Sequence, residues 1–188
     1  MSAPVTQSSA GQHEAREPAG AEPRRPFWIL IGAISIPIVV LDQATKLFVK
    51  AHMELYESIA IVRNYLDITY TLNPGAAFSM LAEAPLWVRR ASLMLMSTVM
   101  TVVLIVLIFR SARVSVNSIA FALIAGGAAG NLIDRATRGE VIDFVRVHYY
   151  DLNYPIFNVA DSAISIGVAL IILATIFGYS DSEAPGSG

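Results

Sequence analysis

The sequence predicts an all-α membrane protein, four transmembrane helices with a small extracytoplasmic β-sheet element. Of its 188 residues, 55% are hydrophobic and only 15% are charged, against roughly 25% charged in an ordinary soluble domain. The apolar residues also fall in four runs, each long enough to cross ~30 Å of hydrocarbon. Between the first two runs lies a stretch whose polarity alternates with period two, the mark of a strand.

Residues 1–26 are rich in Ala, Pro, Ser, Gly and Glu and carry almost no large apolar side chain. They cannot bury enough surface to order themselves and are expected to form a disordered cytoplasmic tail. The first span covers residues 27–49, with Pro37 as a candidate kink and Asp42, Gln43, Thr45 and Lys46 at its polar end. Arg24 and Arg25 ahead of it loosely imitate a twin-arginine export signal, but further spans follow and no small-residue cleavage site is evident, so the helix is read as retained. The second span, 91–109, has no charged residue, and four residues separate it from the third, 114–133, so the two form an antiparallel hairpin. The fourth, 162–180, precedes a small polar tail at 181–188. Residues 27–180 thus form one membrane domain, with loops at about 50–86 and 134–156 on the side opposite the termini.

In the first loop, Leu66, Ile68, Tyr70 and Leu72 alternate with polar residues and share one face of a strand, which the turn Asn73-Pro74-Gly75 ends. The expected sheet rests on the bilayer surface and is joined there by the second loop. Basic residues argue the other way for orientation. Arg16, Arg24, Arg25, Arg110 and Arg113 lie on the termini side, and the remaining eight of the thirteen lie on the loop side. That count is discounted because several of those eight stand among acidic candidate functional groups, and both termini are assigned to the cytoplasm.

The formal net charge is −2, and no basic block extends beyond the Arg24, Arg25 pair, so no nucleic-acid partner is indicated. The absence of cysteine excludes disulfides, a thiol nucleophile and a cysteine metal site. His13, His52 and His148 are scattered without metal-ligand spacing, so neither a metal nor any other cofactor is expected.

Charged and amide residues near hydrocarbon are costly and tend to mark a site. Asp42 and Lys46 are spaced i, i+4 and can pair, whether as a snorkelling interfacial pair or as part of a site. Asn131 and Arg135 share the same spacing, Asp134 stands beside Arg135, and the run Gly126-Gly127-Ala128-Ala129-Gly130 permits close helix packing. Asp143 lies among apolar neighbours in Val141-Ile142-Asp143-Phe144, and Asp161 sits at the mouth of the fourth span. Their plainer readings are a solvated loop carboxylate and a helix N-cap.

The motifs Asp42-Gln43-Ala44-Thr45-Lys46, Asn73-Pro74-Gly75-Ala76-Ala77-Phe78, Gly126 to Arg135, Val141-Ile142-Asp143-Phe144 and Phe157-Asn158-Val159-Ala160-Asp161 occur in this order between the spans. In this the chain resembles the lipoprotein signal peptidases, the bacterial signal peptidase II family of membrane aspartyl peptidases, over residues 27–179. The resemblance implies that Asp143 and Asp161 are the catalytic pair. Two close carboxylates hold one proton between them, so one serves as base toward a water and the other as acid toward the scissile carbonyl. Asn131, Arg135 and Asn158 are expected to donate to substrate or to a carboxylate, with Asp134 holding Arg135. Asn73 and Gly75 are expected to approach the substrate from above, and Asp42 with Lys46 to brace the first helix or contact lipid. The implied substrate is a diacylglyceryl-modified prolipoprotein, cut N-terminal to its lipid-bearing cysteine by a monomer in the bacterial cytoplasmic membrane, with the site toward the extracytoplasmic face.

Two rival chemistries are open to the sequence. Ser58 or Ser79 with Lys46 would make a serine-lysine dyad, and Asp42, Asp134 and Asp161 would line an ion path in a transporter. A non-catalytic scaffold would use the small residues but leave the ordered Asp and Asn motifs without a purpose.

Overall fold

The computed structural model describes residues 25–75 and 84–178. The tails, together with Ala76, Ala77, Phe78 and Ser79 of the sequence arguments, lie outside the described residues. Among the described residues, four helices are long and apolar enough to cross a membrane: Pro26–His52, Leu86–Arg110, Val116–Arg138 and Val159–Ile176.

The first is built from α1 (Arg25–Leu30), a π-helical turn (Ile31–Ser35) and α2 (Ile36–His52). Pro37 causes the turn, because its ring lacks an N–H and crowds the preceding carbonyls. The ladder widens just before it, and the Ile36 N–H bonds the Ile31 carbonyl. The expected kink is thus taken up as a wider turn, and Ser35 there donates to the Ala122 carbonyl at 2.8 Å.

Strands β1 (Ser58–Val62) and β2 (Leu66–Asn73) follow, then α3 (Leu86–Arg110) and α4 (Val116–Arg138), then β3 (Val141–Tyr149), β4 (Leu152–Asn153) and α5 (Val159–Ile176). The strands form one antiparallel sheet in chain order. Ile68, Tyr70 and Leu72 share a hydrophobic cluster with Val49, Ile142 and Phe144, which seats the sheet on the end of α2. The opposite face of β2 buries Asp67, which pairs with Arg146, 3.5 Å away, and His148, 3.2 Å away.

Helix α4 is the centre of the bundle and packs on α2, α3 and α5. Its small residues permit this: a Cβ on Gly126 would stand 2.9 Å from the Ser35 carbonyl oxygen, and one on Gly127 would strike the Ala160 carbonyl. Helix α4 also runs further than the apolar run suggested. It continues to Arg138 before Gly139 closes it in the left-handed region at φ +81°. Asp134 and Arg135 are therefore helical, in its last turns, and not the start of a loop.

Candidate active site

The ends of α2 and α4, the start of α5 and strand β3 meet at the sheet end of the bundle. Strand β3 carries Asp143 inward, 2% exposed, so it is not a solvated loop carboxylate. Backbone bonds between Phe157 and both Phe144 and Val145 dock the chain before α5 onto β3, at 2.8 to 3.1 Å. That docking brings Asn158 beside Asp143. Asn158 is the N-cap of α5, and Asp161 is its third residue, bonded back to it in a capping box. Asp161 therefore assists a cap without being the cap.

Each carboxylate is held by amides. Asp143 accepts from Asn158 Nδ2 at 2.6 Å and from Asn73 Nδ2 at 2.9 Å. Asn73 lies diagonally across the β2–β3 pairing, opposite Val141, so its side chain reaches two residues along the same face. Its Oδ1 accepts the Gly75 N–H at 2.8 Å. Asn73 thus touches the Asp143 carboxylate itself, and Gly75 is linked to it through Asn73. Asp161 accepts from Asn131 Nδ2 at 2.8 Å and from the Asn158 N–H at 3.3 Å.

Burial pushes the Asp143 carboxyl up to about 6, and the nearby charge of Asp161 adds to this while bonds from Asn73 and Asn158 oppose it. Asp161 is half-buried in the first turn of α5. Arg135 interacts electrostatically with both aspartates and donates to Ser97 Oγ at 3.2 Å.

Behind the pair lies a buried ionic cluster. Asp42, Lys46 and Asp134 are 0% exposed, so Lys46 does not snorkel. Its Nζ lies 2.8 Å from Asp42 Oδ2, 2.8 Å from Asp134 Oδ2 and 2.9 Å from Asn131 Oδ1. Asp134 also pairs with Arg138 and accepts from Gln43. Asp134 also acts electrostatically on Arg135, while its hydrogen bonds and ion pairs run to Lys46, Gln43, Arg138 and the Ile142 N–H. Sequence reasoning omitted Gln43, Arg138 and Ser97 from the site. Gln43 and Arg138 had a signal, one as a polar neighbour inside the first motif, the other four residues beyond Asp134.

With its ammonium occupied three ways, Lys46 is not a base for Ser58, whose hydroxyl bonds Thr69 at 2.8 Å. Among the described residues, the buried charged side chains Asp42, Lys46, Asp67, Asp134 and Asp143 all lie at the sheet end. A conduction path needs such groups along its depth.

Fold and site together define a four-span membrane protein with two amide-held aspartates gathered at one end of its bundle. Residues 34–177 match the family model described as Signal peptidase (SPase) II. The chain is 42% identical over 154 residues to the lipoprotein signal peptidase of Geobacter sulfurreducens, covering 81% of this chain and 94% of that one. It is 43% identical over 150 residues to that of Photorhabdus laumondii, covering 79% and 86%. A solved bacterial membrane enzyme structure, obtained by the in meso method at 2.3 Å resolution, superposes with a TM-score of 0.69 at 31% identity, covering 83% of this chain and 93% of that one. The chain belongs to the signal peptidase II family and is a multi-pass membrane peptidase.

Proposed function

We propose that this protein is an aspartyl endopeptidase that removes the signal peptide from diacylglyceryl-modified prolipoproteins, cutting N-terminal to the lipid-bearing cysteine. The carrying observation is that Asn158 hydrogen-bonds both aspartates, which sets Asp143 and Asp161 on either side of one amide residue. Their unequal surroundings divide the labour. Asp143, buried and raised toward neutrality, is the acid, and Asp161, which accepts two N–H donors, is the base.

Asp161 takes a proton from water as the water oxygen attacks the scissile carbonyl carbon, while Asp143 gives its proton to the carbonyl oxygen. The resulting gem-diol collapses as Asp161 passes its proton to the departing nitrogen and a diol hydroxyl returns one to Asp143. The C–N bond breaks, and no covalent enzyme intermediate forms. Asn131, Asn158 and Asn73 hold the carboxylates, and Arg135 is placed to orient the substrate backbone. The signal-peptide helix and acyl chains enter laterally from the bilayer, so neither passes through water. The enzyme acts as a monomer, with both termini cytoplasmic and the site extracytoplasmic.

The test is cleavage of a synthetic diacylated lipobox peptide in detergent by purified wild type, Asp143→Asn and Asp161→Asn. A loss of about 10³-fold or more in both variants is expected, since the reaction needs both groups. Either folded variant cleaving at the wild-type rate overturns the assignment.

A further inference from the structure

The ammonium of Lys46 has three hydrogens and three acceptors, and each acceptor leads onward to a different part of the aspartate pair. Asp42 binds the ammonium through Oδ2 and with Oδ1 accepts the N–H of Ala160, the residue before Asp161, at 3.0 Å. Asp134 binds it through Oδ2, and that same oxygen accepts the N–H of Ile142, the residue before Asp143, at 3.2 Å. Asn131 binds it through Oδ1, so its Nδ2 is the atom that faces Asp161, at 2.8 Å.

The third link has a polarity. A side-chain amide fits its pocket two ways round, and only one presents a donor to Asp161. A cation on the oxygen side selects that way, and Asn158 Nδ2 seconds it by donating to the same oxygen at 3.2 Å. Turned over, Asn131 would set its oxygen against a carboxylate oxygen. Arginine would not replace the lysine, because a planar fork neither points in three tetrahedral directions nor fits a side chain with no exposed surface.

We propose that Lys46 is a positioning residue that sets the spacing of Asp143 and Asp161, by holding through one ammonium the three groups that fix them. This rests on the aspartyl reading above. Lys46 touches neither substrate nor reacting atoms. Its loss is read in turnover, because the carboxylates move relative to each other while the surfaces that bind peptide and lipid stay in place.

The chain has no cysteine, so Lys46→Cys introduces a single thiol that can be alkylated in denaturing detergent before refolding. Aminoethylation rebuilds a side chain of lysine's length with its ammonium, and propylation gives the same length without charge. Lys46→Cys is expected to lose at least 100-fold in kcat with KM within threefold, aminoethylation to recover at least tenfold, and propylation to recover nothing. Equal recovery by propylation, or a kcat within threefold of wild type in Lys46→Cys, overturns the proposal. Where refolding fails, Lys46→Met combined with Asp42→Asn, which keeps the charge of the cluster, is purified directly. The same 100-fold loss supports the proposal, and wild-type turnover overturns it. Asp143→Asn and Asp161→Asn run beside these: activity in either sinks the aspartyl reading, whereas inactivity in both beside an active Lys46→Cys sinks the lysine proposal alone.

Discussion

Asn158 and Asp161 bind each other twice, the Asp161 N–H donating to Asn158 Oδ1 at 2.9 Å and the Asn158 N–H to Asp161 Oδ2 at 3.3 Å. The Nδ2 of Asn158 makes its shortest bond to Asp143, at 2.6 Å, and also lies 3.2 Å from Asn131 Oδ1 and from the Ile142 carbonyl. One residue therefore starts a helix and supports the site, and the two duties are separable. Asn158→Ala loses both, at about 1 kcal/mol for the cap alone. Asn158→Ser keeps a capping oxygen but has no amide to donate. Thermal unfolding is expected to rank wild type, Ser, Ala, while both variants fall about 100-fold in kcat from the lost donor, a larger effect than the cap.

The raised carboxyl of Asp143 makes stability depend on pH in a defined direction. Its folded value of about 6 lies above the ordinary carboxylate value of about 4, so the folded state binds the extra proton between these values. Its contribution is fully present below about pH 4 and is lost as pH rises through 6. The difference corresponds to about 3 kcal/mol. Unfolding in detergent is expected to show wild type losing stability from pH 4 to 8 relative to Asp143→Asn, which has no proton to release there. Parallel profiles would show that burial does not raise this group.

Gly127→Ala places a methyl group against the Ala160 carbonyl, a backbone atom that cannot rotate away. Helices α4 and α5 must separate, and with them Asn131 from Asp161. A loss of about 1–3 kcal/mol is expected from overpacking, with turnover reduced further than stability alone explains. Gly32→Ala is the control: its added Cβ meets nothing within 4 Å, and unfolding should be unchanged.

Gly75 stands at φ +94°, and an added Cβ would also lie 2.5 Å from Leu93 Cδ1. Gly75→Ala is expected to cost about 1–2 kcal/mol locally. Because the Gly75 N–H holds Asn73 Oδ1, its displacement frees the Asn73 amide from Asp143. A roughly tenfold fall in kcat is the expected kinetic result of weakening one donor. Peptide cleavage by the variant, with unfolding measured alongside, checks both.

The spans were legible because a run of apolar residues needs no partner to declare itself, and the alternation of Leu66 to Leu72 gave the apolar face of β2 for the same reason. Asp143 and Asp161 stood out by their motifs. What sequence could not give was the destination of each polar side chain. Lys46 looked like an interfacial cation because Asp134 and Asn131 lie far along the chain, and the end of α4 was cut short because Asp134 and Arg135 look like loop residues until α2 buries one of them. The bond from Asn73 to Asp143 was not legible, because nothing local shows that β2 pairs with β3 just where Asp143 points inward. In each case the deciding contact joins segments whose separation in sequence carries no periodic signal.

The burial of Lys46 also fixes an order of events during biogenesis. Its acceptor Asn131 is 85 residues further along the chain, and at 5–20 residues per second a ribosome needs roughly 4–17 s to make that distance. Through that interval Asp42 is the one of the three Lys46 partners already synthesised. The first span thus cannot complete the set of partners of its ammonium until the third hydrophobic segment has been made. Nascent chains arrested before residue 131 should therefore remain easily extracted, and quality control that removes them would spare the cell a peptidase without a working centre.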